Sequence, residues 1–239
     1  ALLQTASVMT GGYQVLRGDT PVLGDKEEAA QAWLDDLKTA TASTGIRSMP
    51  YADVDAAAVV RAGMSNDVVR AVTQGPGVAA AALQDSAPGG LYWAPFGRLD
   101  RNTTNVLASA GVSTIVLSAD ALPATDEAQP TDGLATAALP TSVGAMRAVL
   151  TDPGLTATLS LPRGDSPGQV LVRQRFLAET ALIATSIPPD QSSRTVVVAP
   201  DTVLWDPSAS LVAPLLRATR AAPWLSPQTL ERLLEQPVT

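Results

Sequence analysis

Apolar positions along the chain switch between two rhythms. From Lys26 to about Thr44, Ala30, Trp33, Leu34 and Leu37 recur at i, i+3, i+4 and i+7, one face of a helix. Gly45 stands where a helix C-terminal stop belongs. Two or three short Ala/Val-rich helical pieces follow between Asp55 and Leu83, with Gln74-Gly75-Pro76-Gly77 read as a turn. Asp100 or Asn102 caps a further helix through Ala110, stopped by Gly111. Helical pattern returns from Gly168 to about Ser186, from Pro207 to Ala221 and from Ser226 to Glu235.

Between these helices lie five short β-branched or apolar runs. They are Ile46–Tyr51, Gly90–Ala94, Ser113–Leu117, Ala145–Leu150 and Arg194–Ala199. Ala145–Leu150 also suits a short helix, and a short hairpin is expected around Leu134 to Leu139. Apolar strands alternating with helices indicate an α/β fold with a parallel sheet, a barrel or an open doubly wound sheet. Five strands fall short of the usual eight of a closed barrel, and the chain opens in a helix-like segment. The pattern therefore predicts one α/β barrel-like domain over residues 1–239, with one or two further strands ahead of Ala1.

Composition narrows the chemistry. The chain has neither His nor Cys. That excludes a disulfide, a thiolate nucleophile, a Cys/His zinc site, a Ser-His-Asp triad and a haem histidine. A net charge of −7 without any Lys/Arg cluster argues against nucleic acid as a partner. No apolar run has the ~18–20 residues a membrane span needs. Neither G-x-G-x-x-G nor G-x-x-x-x-G-K-[ST] occurs. No metal site and no cofactor is expected: Asp53-Val54-Asp55 offers oxygen ligands, but that spacing alone does not define a site.

Parallel α/β folds bind at the carboxyl ends of their strands. That rule selects Tyr51, Asp53 and Asp55 after the first run and Trp93 and Arg98 after the second. It adds Ser118 and Asp120 after the third, Asp152 after the fourth, and Asp201 and Trp205 after the fifth. Aromatic faces beside carboxylates suit a sugar ring, with its C–H faces and hydroxyl edges. Asp53 and Asp152 are the pair to carry hydrolysis, were the domain an enzyme. The bland readings stand beside these. Asp53, Asp55 and Asp152 suit turns or helix N-caps, Asp120 a loop, and Trp93 and Trp205 packing. Glu179, four residues after Arg175, suits a helical ion pair.

Several segments carry a resemblance. They are Ala1-Leu2-Leu3 through Gly11-Gly12-Tyr13, Ala32-Trp33-Leu34, Met49-Pro50-Tyr51-Ala52-Asp53-Val54-Asp55 and Trp93-Ala94-Pro95-Phe96-Gly97-Arg98-Leu99-Asp100. Arg175-Phe176-Leu177-Ala178-Glu179, Val196-Val197-Val198-Ala199-Pro200 and Ala222-Pro223-Trp224-Leu225 continue it. In order and spacing the chain resembles an uncharacterised actinobacterial family of exported, membrane-anchored envelope proteins, encoded beside a lipid II flippase homologue. The resemblance implies a piece lying between a signal-peptide end and a C-terminal membrane anchor, located outside the cytoplasm. The same segments are distantly similar to the seven-stranded barrels of polysaccharide deacetylases and certain glycosidases.

Metal-dependent deacetylases of that type use an Asp and two His, and this chain has no His. The glycosidases use a strand-end carboxylate nucleophile. Here Glu27, Glu28, Glu127, Glu179, Glu231 and Glu235 all fall in expected helices or loops. The leading expectation is a non-catalytic domain that binds cell-envelope glycan or a membrane protein of envelope assembly. The alternatives are a carboxylate-based glycan hydrolase and a purely protein-binding scaffold.

Overall fold

The computed structural model describes residues 1–122, 135–160, 166–189, 191, 193–200 and 205–236. It is a mixed α/β chain with two compact units. The first comprises Ala1–Tyr92, Asp100–Thr114 and Thr141–Gly144; the second comprises Trp93–Leu99, Ile115–Pro140 and Ala145–Thr239.

The first unit opens with α1 (Leu2–Met9), a hairpin of β1 (Gln14–Arg17) and β2 (Thr20–Leu23), and α2 (Glu27–Thr41). The hairpin left no mark in the sequence pattern because nearly every residue of both strands is exposed, so no alternation was written into it. In α2, Ala30 and Leu34 turn inward, Glu27 and Glu28 sit in the first turn and Lys38 in the last, complementing the helix dipole. Gly45, at φ 70°, follows and donates its N–H to Thr41 O at 3.2 Å.

Next come α3 (Ala56–Arg61), α4 (Ser65–Leu83) and, after the chain passes through the other unit, α5 (Arg101–Ser109). Helix α4 is the hub, packed by α1, α2, α3 and α5. It runs straight through Gln74-Gly75-Pro76-Gly77, which corrects the turn expected there. Pro76 does forfeit a backbone donor. Close packing outweighs that loss: a Cβ on Gly75 would stand 2.3 Å from Met49 O, so only glycine lets α4 meet this backbone. Val68, Ala71, Ala79, Ala82 and Leu83 are buried along the helix.

The segment beside Gly75 is the first expected strand, and it does not form one. Ser48 donates its N–H to Pro88 O at 3.0 Å, Pro50 has no N–H, and the chain enters a tight turn at Tyr51–Asp53.

A four-stranded sheet has the order β3 (Leu91–Trp93), β4 (Thr114–Ser118), β6 (Gly144–Thr151), β5 (Thr136–Thr141). β3, α5 and β4 make a βαβ crossover, so β3 and β4 are parallel. Thr114–Leu117 is buried without interruption, as a strand covered on both faces should be. β6 settles the strand-or-helix choice for Ala145–Leu150 in favour of strand, with Met146, Ala148, Val149 and Leu150 all buried. β5, the expected short hairpin's described part, pairs with β6 around Ser142-Val143 rather than folding on itself. Leu134 lies outside the described residues.

The second unit continues with α6 (Pro153–Leu159), α7 (Ser166–Thr185), α8 (Ala209–Ala221) and α9 (Leu230–Glu235). Helix α7 packs against α6 and α8. Their shared core is Leu155, Leu159, Phe176 and Leu215, with Ile183, Val196 and Val198 against it. The fifth expected strand shrinks to one parallel bridge, Val197 with Thr151, plus a 2.8 Å bond from Asp152 N–H to Val197 O. Among the described residues no helix is long and apolar enough to cross a membrane.

Candidate functional site

The second unit holds a cleft at the carboxyl ends of its strands. β3 delivers Trp93, and the turn after it delivers Phe96, Gly97 and Arg98. Val116, Leu117, Ser118 and Asp120 come from β4 and its end; Thr151 comes from β6. Pro153, Thr156 and Ala157 of α6, with Pro200, complete the lining.

The β3 turn is an unusual piece of backbone. Gly97 N–H donates to Ala94 O at 2.9 Å, and Phe96 is held at φ 55°, ψ 20°, a left-handed conformation that costs a bulky residue about 1–2 kcal/mol. Gly97, at φ 66°, lies so close to β4 that a Cβ would be 2.6 Å from Ser118 N. Pinned in this way, the Phe96 side chain is 66% exposed beside the half-buried Trp93. A large apolar ring held in solvent by strained backbone, beside a second aromatic in a cleft, marks a candidate binding surface.

Polar groups in the cleft are few and differ in kind. Arg98 Nη2 donates to Asp120 Oδ2 at 2.7 Å; both side chains are at least half exposed. Their charges cancel locally. Thr151 Oγ1 donates to Leu117 O at 3.3 Å. Thr156 is 6% exposed, and its hydroxyl is buried with no hydrogen-bond partner.

Asp152, between the lining residues Thr151 and Pro153, is the N-cap of α6. Its Oδ1 accepts from Leu155 N–H at 2.9 Å, a role its place after a strand allows. Trp205 is not among the lining residues: its indole N–H donates to Leu159 O at 3.2 Å. Asp201 lies outside the described residues. Glu179 accepts from Arg175 Nε at 2.6 Å through one oxygen and from Thr158 Oγ1 at 3.0 Å through the other.

The remaining expected rim residues belong to the first unit. Tyr51 Oη donates to Gln4 Oε1 at 2.7 Å. Asp53 follows Ala52 in a left-handed pair, at φ 50° and 60°, and partial burial lifts its carboxyl above the ordinary value of 3.8. Asp55 caps α3, accepting from Ala58 N–H at 3.0 Å. Beneath them the Tyr92 hydroxyl accepts from Ala56 N–H at 3.1 Å and donates to Val54 O at 3.3 Å. Burial pushes the Tyr92 phenol up to about 12; the Ala56 bond opposes this and the charges of Asp55 and Asp53 add to it. Asp53 and Asp152 thus fall in different units. Among the described residues, no group of three or more carboxylates is placed to hold a metal ion.

Trp93, Arg98, Ser118 and Asp120 are therefore the expected residues that share a site. Phe96 and Thr156 were missed. For Phe96 the signal was there: an aromatic between Pro95 and Gly97, in a turn where a core residue is not expected. Thr156 had none, being one threonine among several.

Residues 21–239 match the profile of a family described as "Family of unknown function (DUF6049)". No curated protein matches the sequence. Among solved structures, the chain is similar to the crystal structure of a 4-alpha-glucanotransferase from Thermococcus litoralis. The TM-score is 0.56 and identity 12%, over 89% of this chain and 32% of that one. The chain thus spans about a third of that protein's length, and at this identity the likeness is one of fold.

Proposed function

The chain belongs to the DUF6049 family, and we propose that it is a non-catalytic domain, carried outside the cytoplasm by a membrane anchor beyond this chain, that binds cell-envelope glycan. The barrel-type fold is part of this reading. β3, β4, β6 and the Val197 segment would be successive staves, and the glucanotransferase likeness supplies a precedent for the fold rather than for the chemistry.

One observation carries the proposal: the strand-end cleft presents Trp93 and an exposed, strained Phe96 beside hydroxyls and a neutralised ion pair. Aromatic faces stack on sugar C–H faces, while hydroxyls and the Arg98–Asp120 pair meet sugar hydroxyls. The non-catalytic part rests on the carboxylates. Glycoside hydrolysis needs two of them, ~5–5.5 Å apart for retention or ~6.5–9.5 Å for inversion. Among the described lining residues Asp120 is the one carboxylate, and Arg98 holds it.

Titration calorimetry with arabinogalactan and peptidoglycan fragments, with products followed by mass spectrometry, tests this reading. Binding without cleavage is expected, weakened about tenfold by Trp93→Ala in a protein that stays folded. A cleaved or deacetylated product, or a Trp93→Ala variant that binds as wild type, would overturn it.

The first unit favours a second reading, a scaffold for a membrane protein of envelope assembly. Leu16 and Leu23 on the β1–β2 hairpin are 73% and 81% exposed. Loss of a co-purifying membrane partner from a Leu16→Asp, Leu23→Asp double variant would support it; unchanged recovery would not.

A further inference from the structure

Resting on the glycan reading, we infer that the cleft selects an uncharged sugar unit, and that the Thr156 hydroxyl is the buried anchor for one of its hydroxyls. Two independent features point this way.

The first is the unpartnered hydroxyl. Thr156 stands on the second turn of α6, in the cleft lining, and its Oγ1 is out of water with no acceptor or donor in reach. The hydroxyl of Thr158, two residues on, has acceptors on both sides, Gly154 O at 3.1 Å and Glu179 Oε2 at 3.0 Å, which share its one hydrogen. A buried hydroxyl without a partner is a standing cost, and folded proteins keep few of them. A ligand hydroxyl reaching Thr156 can either donate to it or accept from it, whereas a carbonyl or a carboxylate can only accept.

The second is the charge balance. Among the described residues the lining holds one cation and one anion, Arg98 and Asp120, bonded to each other at 2.7 Å. A uronate or lactyl carboxylate approaching Arg98 meets Asp120 as well, on a chain whose net charge is −7. An uncharged ring meets no such opposition. It can stack on Trp93 and Phe96 while its hydroxyls reach Thr156 and the ion pair.

The test titrates the full chain with two probes of similar length, a neutral arabinogalactan oligosaccharide and an oligogalacturonide. Wild type is expected to bind the neutral probe at least about tenfold more tightly. Thr156→Val should weaken neutral binding about fivefold without lowering Tm, since it removes an unsatisfied hydroxyl; Thr156→Ser should retain binding. Asp120→Asn should improve binding of the acidic probe by freeing Arg98. Equal or tighter binding of the acidic probe, or a Thr156→Val variant that binds as wild type, would overturn the inference and leave the glycan reading standing. No binding of either probe would remove both.

Discussion

At the end of the first unit's Ile46–Pro50 segment, Asp53 N–H closes a turn onto Pro50 O at 3.1 Å, with Ala52 at φ 60°. At the end of β3, Gly97 N–H closes a turn onto Ala94 O at 2.9 Å, with Phe96 at φ 55°. Both turns hold a non-glycine residue in the left-handed region, and both rely on a glycine pressed against backbone: Gly75 on Met49 O in one unit, Gly97 on Ser118 N in the other. The side chains they present are opposites. The first turn presents a methyl group, and the Tyr51, Asp55 and Tyr92 polar atoms around it are joined to Gln4, α3 and Val54. The second presents an exposed phenyl ring in a cleft where the buried Thr156 hydroxyl has no partner. Similar backbone strain thus accompanies polar atoms that are satisfied within the fold in one unit and an exposed ring in the other, so strain alone does not identify a binding site.

The largest effects are expected at the two glycines. Gly75→Ala puts a Cβ 2.3 Å from Met49 O, and Gly97→Ala puts one 2.6 Å from Ser118 N at φ 66°. Each should cost about 3 kcal/mol in chemical denaturation. Gly97→Ala should also abolish glycan binding, whereas any folded Gly75→Ala protein should retain it. Equal loss of binding in both would erase the distinction between the units.

Tyr92 comes next. Its folded pKa of about 12 lies above the ordinary 10, so the unfolded chain releases this proton first. The stability it confers is therefore full below pH 10 and is lost as pH rises towards 12, by about 2–3 kcal/mol. Tyr92→Phe should lose about 1 kcal/mol at neutral pH and show a shallower alkaline decline in Tm. An unchanged alkaline slope would show that the phenol is not held neutral by the fold.

Relieving the strain should separate the two turns most cleanly. Ala52→Gly and Phe96→Gly should each remove about 1 kcal/mol of left-handed cost from the folded state, offset in part by glycine's greater entropy when unfolded. Phe96→Gly alone should weaken neutral-glycan binding, by about fivefold to tenfold. Weaker binding in Ala52→Gly would move the site to the first unit.

The smallest effects concern the capping carboxylates. Asp55→Ala and Asp152→Ala should each cost about 1 kcal/mol and leave affinity intact. Asp100, which caps α5, is held below its ordinary 3.8 by the Thr103 N–H and then the Thr103 hydroxyl. Its contribution is present above that value and fades as pH falls through the folded pKa. Asp100→Asn should flatten the acid limb of a Tm-versus-pH curve.

The sequence was readable where one residue type answers to one force. Thr114–Leu117 and Ala145–Leu150 are apolar runs buried in a sheet, and Gly45, Asp55, Asp100 and Asp152 end or start helices as their chemistry requires. It misled where tertiary contact overrode local preference. Gly75-Pro76-Gly77 has turn composition, yet lies inside α4 because the helix must approach Met49 closely. Ile46–Tyr51 and Arg194–Ala199 have strand composition but form no multi-residue strand among the described residues, their backbones meeting Pro88 and the end of β6. The strand-end rule selected Trp93, Arg98, Ser118 and Asp120, which line one cleft, and also gathered residues of the other unit, because it ranks positions along the chain without regard to packing. Thr156 was invisible for a different reason: an unmet hydrogen bond is a property of its surroundings, not of its identity.

Chemical-shift mapping of the isotope-labelled chain with a neutral arabinogalactan oligosaccharide tests the central claim most directly. Shifts concentrated on the Trp93 indole, Phe96, Gly97, Arg98, Ser118, Thr151 and Thr156 are the predicted result. Shifts concentrated at Tyr51, Asp53 and Asp55 or at Trp205 instead, or no shifts at saturating oligosaccharide, would contradict it.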